Sequence, residues 1–257
     1  MEPDIVPDKI ENKINYKIII LIISSTAIFQ SLLYFVPNRD ETNSIISVVS
    51  FINPLAASIA SFIISKRYSG SLTFGKSYFA LGIGYLSTTI GEILYSVYDL
   101  VLGIDPYPSI ADVFFFSLYP FTIIHLLINT RFFKPKISVK EILWMTLIPV
   151  IIVSIYITSS LSNSKPDFNF YYGVIFTTGA STVLPFAILG AKVFKGGTIG
   201  TPWLVLVFAI VALTIGDVWY YHLEINHAFN LLHPVNIFWY AGYWILVYAL
   251  YKHRKGI

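Results

Sequence analysis

Runs such as "KIIILIISSTAIF", Lys17 to Phe29, constrain this chain more than any other feature. A segment of about 20 predominantly apolar residues is long enough to cross a hydrocarbon core roughly 30 Å thick. Eight windows qualify: about Tyr16 to Val36, Asn43 to Ser65, Tyr78 to Leu102, Ile110 to Asn129, Val139 to Ser159, Phe170 to Leu189, Trp203 to Leu223 and Val235 to Tyr251. A transmembrane barrel would instead show segments of about ten residues alternating in polarity, and these runs do not alternate. Composition agrees: 56% of residues are hydrophobic, 12% charged, and the mean hydropathy is +0.70, far outside the range of soluble domains. The expectation is an all-α, multi-pass bundle of eight helices in a cell membrane. Residues 1–257 then form a single membrane domain, with no soluble domain left to place. The polar stretch before Tyr16 and the lack of a small-residue cleavage site mark the first span as retained rather than a signal peptide.

Lysine and arginine in short loops stay on the cytoplasmic side. Here Lys9, Lys13 and Lys17 precede or open helix 1. Lys66, Arg67 and Lys76 lie between helices 2 and 3, and Arg131, Lys134, Lys136 and Lys140 between 4 and 5. Lys192 and Lys195 lie between 6 and 7, and Lys252, Arg254 and Lys255 end the chain. Only Arg39 and Lys165 fall on the other loops. Both termini are therefore expected in the cytoplasm, with Asn43, Ser109 and Asn163 outside. The net charge of +3 reflects this girdle rather than nucleic-acid binding. The absence of cysteine removes disulfides and thiol ligation.

The chain also matches itself at an offset of 125 residues. "RYSGSLTFGKSY" from Arg67 aligns with "KVFKGGTIGTPW" from Lys192, pairing Thr73 with Thr198 and Gly75 with Gly200. "TIGEILYSVYDL" from Thr89 aligns with "TIGDVWYYHLEI" from Thr214 and, one residue shorter, "DVFFFSLY" from Asp112 with "NIFWYAGY" from Asn236. Four helices per unit return the chain to its starting side. The expectation is therefore a tail over 1–15 and two parallel four-helix repeats, 16–130 and 131–257, about an axis along the membrane normal. Helices 3 and 7 would then touch or line a common cavity, with Gly82, Gly84, Gly91 and Gly216 permitting close approach.

"GIDPYPSIADVFFFSLYP", Gly103 to Pro120, is the outer hairpin of the first repeat. Pro106 and Pro108 hold it extended until a capping box, in which the Ser109 hydroxyl accepts from the Asp112 amide and the Asp112 carboxylate reaches back. Pro120, inside helix 4, predicts a kink. "GEILYSVYDLVLG" followed by "DPYPSIADVFFFSLYPF" resembles the multi-helix membrane region found in front of diguanylate cyclases and histidine kinases in bacterial signalling proteins. The resemblance covers about Thr89 to Leu127. It implies a membrane-embedded sensory or ligand-binding unit. No output domain follows in the sequence up to Ile257, so it also implies a separate signalling partner.

Ionisable groups inside a bilayer are costly and rarely face lipid. Glu92 and Asp217 occupy matched repeat positions. Each has a second carboxylate seven residues on, Asp99 or Glu224, and a tyrosine between, Tyr95 or Tyr220, on one helical face. They either form a ligand, proton or cation site or join the two halves. His222, Glu224, His227 and His233 are weak metal candidates, since "EINH" has the Glu-x-x-His spacing of bundle metal sites but occurs once. His125 is an interhelical hydrogen bonder or a proton acceptor. The partners that follow are the bilayer, a small-molecule or lipid ligand and a separate signalling protein. No motif names a cofactor. Three function classes remain, in order: a sensory or ligand-binding module, a secondary transporter with a site at the repeat interface, and a membrane hydrolase, for which the histidines lie too far out.

Overall fold

The computed structural model describes residues 14–71, 73–162, 166–197 and 199–256. Among them the chain forms eight α-helices and no strand: α1 Tyr16–Leu33, α2 Arg39–Arg67, α3 Phe74–Ser96, α4 Ala111–Phe133, α5 Val139–Leu161, α6 Phe168–Val193, α7 Gly200–Ile225 and α8 Asn236–Gly256. A π-helical segment, Val97–Leu102, continues α3 and stops at Gly103, whose φ is 62°. Each expected apolar window is one of these helices, most extended by a few residues. In lipid, a helix satisfies its own backbone, so the apolar runs have no other local solution. Lys9, Lys13, Asn163, Lys165 and Thr198 lie outside the described residues, as does the Lys255 side chain.

Local sequence sets the helix ends. Asn38 and Asp167 accept amide hydrogens from Asp40 and Phe170 at the starts of α2 and α6, and Ser138 with Glu141 forms a capping box on α5. At α4 the cap differs from the sequence expectation. The Asp112 carboxylate does accept from the Ser109 amide at 2.7 Å, but the Ser109 hydroxyl accepts from Ala111 rather than from Asp112. Helix α4 runs unbroken through Pro120.

Six helices, α1, α2, α4, α5, α6 and α7, are long and apolar enough to cross a membrane. The protein is a multi-pass helical membrane protein. Helices α3 and α8 fall short of that threshold, and packing explains why. Helix α3 sits between α2 and α4, while α8 contacts α7, α2 and α1, so their glycines, hydroxyls and tyrosines meet protein instead of lipid. At the other extreme, α5 rests mainly on α6 and exposes Ile142, Leu143, Leu147, Val150, Ile151 and Ile155.

Helix contacts follow a clear order. Helix α2 packs on α3 and α3 on α4; α6 packs on α7 and α7 on α8; α4 lies against α6, and α8 against α2. Polar side chains fasten neighbours, as membrane helices require: Ser58 donates to the Gly82 carbonyl, Ser65 to that of Gly75, and Asn129 to the Ser77 hydroxyl. The glycines serve these contacts and not an α3–α7 approach. Gly82 receives Phe62 of α2, Gly91 receives Phe115 of α4, and Gly216 receives Trp239 of α8. Helices α3 and α7 do not pack along each other, because rings from α2, α4 and α8 fill those notches. They meet only across a cavity.

The two ends of the bundle differ in charge. Among the described residues every lysine and arginine except Arg39 lies at the end that holds the start of α1, the end of α8 and the α2–α3, α4–α5 and α6–α7 connections. One ion-pair cluster ties that end together. Glu141 is buried and accepts from Lys134 at 2.5 Å, Lys192 at 3.0 Å and the Ser138 amide at 3.0 Å, joining α5, α6 and the α4–α5 loop. Glu141→Gln keeps the cap and loses both ion pairs, so thermal unfolding in detergent should show a lower midpoint at low ionic strength, with the gap narrowing as salt screens the half-exposed lysines. Glu141→Ala loses the cap too and should lie below Glu141→Gln at every salt concentration.

Candidate functional site

A cavity opens inside the bundle toward the end that carries the α3–α4 and α7–α8 connections. Its walls come from α2, α3, α4, α7 and α8 and the loop before α8. About 980 Å³ of space, the solvent at its open mouth included, is unfilled by protein atoms. Three carboxylates, Glu92, Asp112 and Asp217, face it along with nine aromatic side chains, and among the described residues no lysine, arginine or histidine lines it. The Tyr95 and Tyr220 phenols meet across it. Of the sequence candidates, the structure thus brings Glu92, Tyr95, Asp217 and Tyr220 together, and adds Asp112, which the sequence placed only as a cap.

The two matched carboxylates are not in equal positions. Asp217 is held from both halves of the chain: Tyr119 of α4 donates to Oδ2 at 3.0 Å, and the Trp239 indole of α8 donates to Oδ1 at 2.9 Å. Glu92 receives no such donor among the described residues; its half-buried carboxyl has burial alone as its surroundings, with the phenols of Tyr95, Tyr240 and Tyr243 within electrostatic range. At the position that matches Trp239, the first half has Phe115, which has no hydrogen to donate. Asp217 is consequently a cross-link and Glu92 an open group. Asp217→Ala leaves two donors orphaned and should cost about 1 to 3 kcal/mol. Asp217→Asn, whose amide can satisfy both positions after the Tyr119 hydroxyl turns, and Glu92→Ala should both stay near wild type. Thermal or denaturant unfolding in detergent measures the order.

The remaining candidates lie elsewhere. Asp99 falls in the π-helical segment, where the wider turn abolishes the seven-residue register, and it does not line the cavity. Glu224 sits beside the Tyr220 hydroxyl, also outside the lining. As for the weak metal candidates, among the described residues no three His, Cys, Asp or Glu side chains come together to hold an ion. The reason is local. Helix α7 ends at Ile225, and His227, with φ 50°, is the left-handed residue of a helix stop in which Ala228 N–H donates to the Leu223 carbonyl and His227 N–H to that of Glu224. Glu224 and His227 therefore share no helical face. His222 faces Ser159.

His233, in the loop before α8, accepts the Val235 amide on Nδ1 at 3.1 Å, and burial holds the ring below the ordinary histidine value. The cap requires the neutral ring. The unfolded chain binds the proton more readily, so this contribution is present above roughly pH 6.5 and is lost as the pH falls below it. His233→Asn, which accepts without titrating, should flatten the fall in unfolding midpoint between about pH 7 and 5 relative to wild type.

His125 belongs to a second buried cluster at the basic end. Its ring lies 4.8 Å from Tyr78 and stacks on Trp203 at 5.9 Å, while the Tyr78 hydroxyl pairs with His253 Nδ1 at 2.6 Å. His253 and the donors Tyr119 and Trp239 escaped the sequence reading. The only signal for the donors was the repeat itself, which sets Tyr119 against Tyr243 and Trp239 against Phe115. No protein-family model matches the chain, and no curated protein and no solved structure is similar to it.

Proposed function

We propose that this protein is a membrane-embedded module that binds a small molecule in the cavity between α3 and α7, in the manner of a sensory domain acting through a separate partner. The observation that carries this reading is Glu92, a carboxyl inside the bundle that faces open space and receives no hydrogen bond from the protein. An intramembrane acid of this kind is expensive to keep and marks a site by default. The order of helix contacts supports two parallel four-helix repeats: the pairs α2–α3, α3–α4 and α4–α6 become α6–α7, α7–α8 and α8–α2 when the halves are exchanged. The repeat interface then coincides with the cavity. The basic end is the cytoplasmic one, with both termini there and the cavity opening outward. Transport of a small solute is the second reading, favoured by the same parallel repeats around a central site.

A thermal-shift screen of purified protein in nanodiscs tests the site. Compounds that raise the unfolding midpoint should lose their effect in Ser50→Phe, which fills the cavity from α2. Hits that Ser50→Phe leaves untouched would remove the cavity from the account. Flux of a verified ligand into proteoliposomes would move the assignment to a transporter. Orientation is tested on the cysteine-free chain: cysteine at Asn43 should react with an impermeant maleimide in intact cells and cysteine at Lys134 should not, and the reverse pattern would invert the topology.

A further inference from the structure

The chemistry of the cavity wall narrows the ligand. Resting on the reading of the cavity as a ligand site, we infer that it takes a small organic cation, an ammonium compound that also carries a hydroxyl or carbonyl oxygen, with Glu92 as its counter-ion. Among the described residues no lysine or arginine lines this cavity, so an anionic ligand would find three carboxylates and no positive partner among them. A neutral apolar ligand would take water from Glu92 and return nothing for it. A metal ion is disfavoured because, among the described residues, no three His, Cys, Asp or Glu side chains come together to ligate one.

An ammonium group fits what remains. Ring faces attract cations, and such cages are how quaternary ammonium groups are held. The Tyr220 ring meets Phe229 at 4.8 Å and 87° and Trp239 at 5.4 Å and 59°, so the wall turns ring surfaces in several directions around the space. Trp239 is fixed in its orientation by the bond from its indole to Asp217. Asp217, already holding two donors, is the anchor of the cage, which leaves Glu92 as the carboxylate free to pair with the ligand. A separate observation points to the ligand's oxygen. Asn53, 3% exposed, lines the same cavity, and its Nδ2 donor meets no acceptor in the protein. The ammonium group could be supplied by a soluble compound or by a lipid headgroup. Asn53 and Tyr240 also line an apolar groove between α1, α2 and α8, which gives the second source a path from the bilayer.

Choline and its uncharged carbon isostere, 3,3-dimethylbutan-1-ol, test the inference directly, titrated calorimetrically against the full chain in phosphatidylglycerol nanodiscs. Choline should bind at least about tenfold more tightly than the isostere. Glu92→Gln, which keeps the fold, should bring the two within about threefold by weakening choline alone. Repeating the titration in phosphatidylcholine nanodiscs separates the sources: lost choline binding identifies the lipid headgroup as occupant, and unchanged binding identifies a soluble ligand. Equal affinity of the two probes, discrimination that survives in Glu92→Gln, or no binding of choline in phosphatidylglycerol would overturn the inference. In any of these cases a neutral or anionic compound whose binding is lost in Ser50→Phe would leave the cavity reading standing, whereas no compound sensitive to Ser50→Phe would end both.

Discussion

A polar group inside a bilayer has no water to fall back on, and the arrangement of this bundle follows from that constraint. Asp217 shows it most plainly. Its carboxylate is taken up by a tyrosine from one half of the chain and an indole from the other, so satisfying one acid also clamps α7 to both α4 and α8. The same requirement packs α3 and α8, which lack a run apolar enough to cross a membrane, against neighbouring helices and leaves α1 and α5 to expose aliphatic side chains. Where the protein leaves an acid unsatisfied, at Glu92, a cavity lies in front of it.

The difference between the two matched acids comes from one pair of residues. Phe115 and Trp239 fill equivalent notches, at Gly91 and Gly216, so both do the same packing work. Only the indole has a hydrogen to give. A single ring difference thereby ties Asp217 into the packing and leaves Glu92 without a matching donor among the described residues. The α1 helix breaks the symmetry a second time. It rests on α8 of the other half rather than along α2, and the groove it leaves reaches the cavity wall at Asn53 and Tyr240.

The ends of the bundle divide the remaining chemistry. Lysines gather at one end around Glu141, and the acids gather toward the other within an aromatic wall. Among the described residues no basic side chain lines the cavity that those acids face.

By itself the sequence determined the helices, their number and their limits, because hydropathy and helix caps act within a few residues of one another. It also set Glu92 and Asp217 in similar stretches, "TIGEILYSVYDL" and "TIGDVWYYHLEI". Helical spacing alone did not register the π segment that holds Asp99 or the helix stop inside "EINH". Only the tertiary structure decided which acid is satisfied. Tyr119 lies 98 residues from Asp217 in the chain, and no local pattern records which donor will arrive across a helix interface. Nor could spacing foresee that glycines on α3 and α7 would receive rings from α2, α4 and α8, holding the two acid-bearing helices apart. The space so created depends on side-chain volumes from five helices at once, a quantity that exists only after they have packed.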